Sequence, residues 1–189
     1  KVVKATEQGL GITYEYFIRT TEKVVHWPGV EKIWNKLVAA GDIYKGSYDG
    51  LYCAGHEAFL NESDLIDGKC PDHDAPLQKI SEENYLFRYS KYVPQVLELI
   101  ESGQLSVIPG FRKNEITNLL KSNPGDVSFS RPKDKLPWGV PVPGDPDHVI
   151  YVWGDALVNY LTGVGYGRDE ALFNKWWPAD VHVIGKDIL

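Results

Sequence analysis

Both cysteines of the chain are followed three residues later by a histidine, in Cys53-Ala-Gly-His56 and Cys70-Pro-Asp-His73, with thirteen residues between the pairs. The segment that holds them, from Ala54 to Leu77, is rich in Gly, Asp, Asn and Pro and has no sustained apolar period. It cannot close over a large core, so something else must hold it. Two thiolates and two imidazoles suit tetrahedral Zn2+, and a two-residue gap lets one tight turn present both members of a pair. Cys53, His56, Cys70 and His73 are therefore the candidate metal ligands. Four protein ligands close the coordination sphere, which makes the site structural and not hydrolytic. The alternative is a pair of ordinary cysteines, buried or disulfide-linked, with solvated histidines. The order Cys, His, Cys, His also differs from the DNA-reading finger, in which both cysteines come first.

The flanking sequence is that of a folding chain of one or two domains. Of its 189 residues 43% are hydrophobic and 24% charged, which excludes disorder, collagen and coiled coil. A formal charge of −6 argues against holding nucleic acid through a broad basic face, so any such contact must be local. No apolar run approaches the roughly 18–20 residues of a membrane span, and the N-terminus has no signal-like apolar stretch. The cytosol or an organelle matrix is the expected compartment, with no membrane partner. The chain has no methionine and ends within the apolar stretch Gly185-Lys-Asp-Ile-Leu189, which reads as an internal piece of a longer protein.

Residues 28–41 predict a helix: Pro28 suits the first turn, Val30, Ile33, Trp34, Leu37 and Val38 make one face, and Gly41 can cap it. Ile43-Tyr44 and Leu51-Tyr52-Cys53 predict two short strands around a turn at Asp49-Gly50. Ser81-Glu82-Glu83 predicts a helix start whose face runs from Tyr85 to Ile100, kinked or divided at Pro94. A shorter helix with Ile116, Leu119 and Leu120 should stop at Asn123-Pro124-Gly125. The middle of the chain is thus expected to be mostly a helical and knuckle module.

The character then changes. Val127 to Ser130 alternates like a half-buried strand, His148 to Trp153 is β-prone, and Asp180 to Gly185 alternates again, with a helical stretch from about Asp155 between the last two. That order predicts a βαβ unit and a parallel sheet with ligands at the C-terminal strand ends, where Trp153 and Gly185 would stand. Ala156 and Tyr160, four residues apart, would share a helix face beside Trp153. An indole, a methyl and a phenol can form a slot for a slim apolar ligand, a thioether included. Ordinary core packing is the alternative for these three. Asp155 reads equally as a helix-starting acid or a ligand contact, and Asp134, Asp145 and Asp147 as turn residues. Trp138, Trp176 and Trp177 read as packing or edge residues, and His26 and His182 as satisfied structural groups.

Over essentially its whole length the chain resembles the methionyl-tRNA synthetases, which are class I enzymes. The likeness is carried by Gly41-Asp-Ile-Tyr-Lys-Gly46, the Cys/His pairs, Glu83-Asn-Tyr-Leu-Phe87, Phe129-Ser-Arg131, Trp138-Gly-Val-Pro-Val-Pro-Gly-Asp-Pro146, Ile150-Tyr-Val-Trp-Gly-Asp-Ala-Leu157 and Val183-Ile-Gly-Lys-Asp-Ile188. The resemblance implies an α/β fold, in which part of a Rossmann-like parallel-sheet catalytic domain carries an inserted zinc-knuckle module. The implied boundaries are 1–41 for the first catalytic part, 42–126 for the connective peptide and 127–189 for the second catalytic part. It further implies that Trp153, Ala156, Tyr160 and Ile188 bind the methionine side chain and that Arg131 helps organise the amino-acid site. Gly185, Lys186 and Asp187 would face ATP.

The implied reaction is ATP-dependent activation of methionine to methionyl-adenylate and transfer to a methionine-specific tRNA, with Mg2+ as counter-ion of ATP. This chain departs from the family pattern at Gly154 and Leu157, where other members carry a larger residue and proline, and at His56, where cysteine is common. The His-x-Gly-His and Lys-Met-Ser-Lys-Ser signatures that stabilise the ATP phosphates would lie in missing N- and C-terminal parts, so the isolated chain is expected to be inactive. Two other readings stand beside this one: a zinc-knuckle binding module without catalysis, and a relative specialised for another amino acid.

Overall fold

The stripe Val30, Trp34 and Leu37 does fold as one face of a helix, and that face packs on the main core. The computed structural model describes residues 2–53, 58–60, 65–72, 77–185 and 188. After α1 (Val2–Gly9) comes this helix, α2 (Trp27–Ala39), with Pro28 at its start, where a missing N–H costs nothing. Gly41 takes φ +71° and turns the chain out of α2. The strands β1 (Ile43–Cys53), β2 (Ala58–Leu60) and β3 (Gln78–Phe87) follow, then α3 (Tyr89–Glu101) and α4 (Gly110–Lys121). The rest comprises β4 (Val127–Ser128), β5 (Ser130–Pro132), β6 (Pro141–Val142), β7 (Asp145–Ile150) and the short helices α5 (Val152–Ala156), α6 (Asn159–Thr162) and α7 (Glu170–Trp176).

The strands form two antiparallel sheets, ordered β2-β1-β3-β4 and β5-β7-β6. This corrects the parallel sheet read from the sequence: no parallel pair occurs among the described residues. The reason lies in β7. Both its edges are taken, by β5 and by β6, so residues 180–185 cannot add to it. That stretch has no strand partner among the described residues and leaves Val181 75% and Val183 86% exposed.

Two further expectations are corrected. The two short strands around Asp49-Gly50 are one long strand, because β1 pairs continuously with β3 from Ile43 opposite Phe87 to Tyr52 opposite Gln78. The same ladder overrides the helix start at Ser81: residues 78–87 are strand, and the helix begins only at Tyr89. Local preference is weak when a partner strand satisfies the backbone at every rung. Pro94 lies inside α3 without dividing it. The shorter helix forms as expected, and Asn123 follows it at φ +54°.

One core gathers Val30 and Trp34 of α2, Ile43 of β1, Val140 and Val142, Ile150 and Val158, with Leu37, Tyr85, Phe87 and Phe129 packed against it. It therefore draws on residues from both ends and the middle of the chain. A second, smaller core of Val93, Ile100 and Leu120 closes the α3–α4 hairpin. No helix among the described residues is long and apolar enough to cross a membrane.

Candidate amino-acid site and metal centre

Where β7 leaves the sheet, the chain turns through Tyr151, whose N–H donates to the Phe129 carbonyl at 2.8 Å, and enters α5. Trp153 thus stands in the first turn of that helix, three residues beyond the strand end expected to carry it. Its side of α5–α6 opens on an apolar cleft of about 180 Å³ formed with Trp34, Leu37, Phe129, Leu157 and Leu161. Trp153 is 40% exposed. Gly154 is buried at the cleft floor, where a Cβ would meet Phe129 and Ile150 side chains at 3.1–3.3 Å.

Ala156 and Tyr160 do not line that cleft. Both are half-buried, and the Tyr160 ring stacks on His182 at 5.0 Å, with Trp177 5.6 Å beyond. The expected slot is therefore divided, with Trp153 on the cleft and Tyr160 against His182. Arg131, in β5, reaches the same neighbourhood. Its Nη1 donates to Ser128 Oγ at 2.7 Å and to the Ser130 carbonyl at 2.8 Å, and the guanidinium lies 3.9 Å from the Tyr151 ring centroid. It is thereby tied to the residue that leads into α5. Gly185 is exposed and accepts from the Ile188 N–H at 3.1 Å, while Ile188 is partly exposed. Lys186 and Asp187 lie outside the described residues.

At the far end of β1, Cys53 is buried, and Cys70 is buried just after the turn that Asp67 and Gly68 make at positive φ. No disulfide joins the two. His56 and His73 lie outside the described residues, and no cluster of three potential ligands occurs among the described residues.

Two polar constellations were not legible as such in the sequence. His26 is fully buried, as a satisfied structural group, but its partners are remote: Nε2 is 2.6 Å from Asp155 Oδ1 and Nδ1 is 2.8 Å from Thr162 Oγ1. Asp145, read as a turn residue, is a junction between the two sheets. Its Oδ2 accepts from Tyr85 Oη at 2.9 Å and lies 3.1 Å from both Lys45 Nζ and His148 Nδ1, while Oδ1 accepts from the Asp147 N–H. Burial alone would raise its pKa, but Lys45 and Tyr85 outweigh it and hold the carboxyl well below the usual carboxylate range. Lys45 is pushed up in return, by Asp145 first and Glu83 second. The only sequence signal for this junction was Lys45 and Tyr85 themselves, which the β1–β3 register sets directly opposite each other.

An α/β chain with an aromatic cleft beyond a strand end and a long antiparallel strand pair matches, in its comparisons with known proteins, the class I tRNA synthetases. The model of the family described as tRNA synthetases class I (M) matches residues 1–79 and 74–189, and the chain belongs to that family. It is 46% identical to the methionine–tRNA ligase of Thermotoga maritima over 95% of this chain and 29% of that protein. It is 47% identical to the corresponding ligase of Clostridium acetobutylicum over 95% of this chain and 28% of that one. Among solved structures it superposes on Mycobacterium tuberculosis methionyl-tRNA synthetase bound by methionyl-adenylate with TM-score 0.86 and 39% identity, over 99% of this chain and 37% of that one. The chain therefore spans less than a third of the length of these curated relatives.

Proposed function

We propose that this chain is a segment of a methionine–tRNA ligase, supplying much of the methionine site and the metal-bearing insertion of its catalytic domain. The observation that carries the proposal is the family match from end to end, together with identities of 46–47% to proteins named as that ligase. In this reading Trp153, Ala156, Tyr160 and Ile188 surround the methionine side chain, Arg131 organises the amino-acid end, and Gly185, Lys186 and Asp187 face ATP. Activation by attack of a carboxylate on the ATP α-phosphorus depends on positioning and charge stabilisation more than on acid–base residues. The compartment is the cytosol or an organelle matrix.

Methionine-dependent ATP–pyrophosphate exchange by the full-length protein tests the reading. Trp153→Ala should lower kcat/KM for methionine at least about 100-fold, since a large aromatic wall of an apolar slot is lost. The 189-residue chain alone should show no exchange. Exchange supported by another amino acid, and not by methionine, would overturn the assignment.

The two buried cysteines fit a structural Zn2+ held by Cys53, His56, Cys70 and His73, because buried thiols suit a soft metal ion. The ion would staple a segment with little apolar content of its own. One Zn2+ per chain by elemental analysis, lost in Cys70→Ser, is the expected outcome.

A further inference from the structure

We propose that His26, Asp155 and Thr162 form a clamp that positions Trp153, Ala156 and Tyr160 for the amino-acid side chain, an inference that rests on the function proposed above. The helices that carry these three residues are very short: α5 has five residues and α6 four. Isolated helices below about 12–15 residues are marginal in water, so such pieces take their orientation from tertiary anchors. The anchor here is one imidazole. Its Nε2 meets Asp155 in α5 and its Nδ1 meets Thr162 at the end of α6, so a single ring brackets the whole segment. Trp153 stands two residues before the first anchor, Ala156 one after it, and Tyr160 two before the second.

The backbone that carries the ring is held from the other side. The His26 amide N–H donates to the Glu22 carbonyl at 2.8 Å, and the His26 carbonyl accepts from the Gly29 and Val30 amides at the start of α2. Gly29 then presses directly on Thr162: a Cβ there would lie 2.2 Å from Thr162 Cγ2. The segment is thus fixed to α2, which also supplies Trp34 and Leu37 to the cleft. A histidine–aspartate pair at 2.6 Å with both groups nearly inaccessible is costly to desolvate, and its return is a defined geometry more than net stability. Asp155 is accordingly a positioning residue. It reaches the ligand through the backbone of α5, and the cleft lies on the Trp153 side of that helix.

The test is steady-state ATP–pyrophosphate exchange by the full-length protein, with methionine and with norleucine as substrates. Asp155→Asn should raise the methionine KM about tenfold while leaving the ATP KM within about twofold, as expected when a wall of one subsite shifts. Thr162→Val, which keeps shape and removes the hydroxyl, should raise the methionine KM about threefold, and Thr162→Ser should restore it. The methionine-to-norleucine ratio of kcat/KM should fall in Asp155→Asn, a change that lost stability alone does not produce. If Asp155→Asn fails to fold, the Thr162 pair decides. Unchanged methionine KM and unchanged selectivity in the folded variants overturn the clamp and leave the ligase reading intact. A wild-type protein without methionine-dependent exchange overturns both.

Discussion

The α3–α4 hairpin and the region around α2 and β7 close their interiors by different means. The hairpin cluster is apolar throughout: Val93, Ile100 and Leu120 at the centre, with Tyr89, Val96, Leu97, Val107 and Ile116 around them. The region around α2 and β7 combines apolar residues with polar groups at fixed distances, buried His26 with Asp155 and Thr162, and Asp145 with Tyr85 and the more exposed Lys45. It also contains backbone contacts that leave no space for a side chain, as between Gly167 and Gly29. A cluster of interchangeable aliphatic side chains relaxes when one is trimmed. A contact between two backbones, or a carboxylate with four partners, has no such latitude.

The sharpest way to break this contrast is Gly167→Ala. Gly167 sits at φ +78°, and a Cβ would lie 2.6 Å from the Gly29 Cα, with Pro28 backbone next in line. Left-handed strain and overpacking against unyielding backbone add, so the chain should lose about 4 kcal/mol, and α2 should separate from the α6–α7 turn. Urea denaturation of this chain measures it. A loss below about 1 kcal/mol would mean that this region relaxes as freely as the hairpin.

Leu120→Ala probes the other side of the comparison. Leu120 is fully buried, and trimming it should cost about 3 kcal/mol through lost transfer energy and the remaining cavity. The methionine KM of the full-length protein should stay unchanged, because the hairpin core shares no residue with the cleft. A large kinetic effect from this site would show that the two regions are mechanically coupled.

The same contrast explains how much was legible beforehand. Helices α2 and α4 were readable because their apolar residues recur within a single short window, and the stripe Val93, Val96, Leu97 and Ile100 was readable for the same reason. Residues 81–87 were not, since what makes them strand is β1, some forty positions away, and not their own composition. The β-prone run from His148 was recognised but carried too far: α5 takes over at Val152, and Trp153 stands in a helical turn. The run from Asp180 has strand-like alternation, yet β7 offers it no open edge. At the candidate site, Trp153 could be singled out from its neighbours, whereas the split between the cleft and the Tyr160–His182 stack could not. His26 and Asp155 are 129 positions apart, and no local pattern relates them.

Asp145 supplies the smallest effect and the most specific one. Its folded pKa is depressed, so the group contributes stability that is fully present above the unfolded carboxylate value near about 3.9 and is lost as pH falls toward the folded value. Between about pH 4 and pH 2 the chain should therefore lose stability more steeply than its Asp145→Asn variant, which carries no charge to protonate. At pH 7 the variant should be weaker by only about 1 kcal/mol, since Asn can still accept from Tyr85 while the attraction to the partly exposed Lys45 is screened by solvent. Urea midpoints across that pH range compare the two directly. Parallel curves would show that the junction between the sheets is held by shape alone, and the distinction between the polar region and the hairpin would then rest on the glycine contacts and the His26 pair.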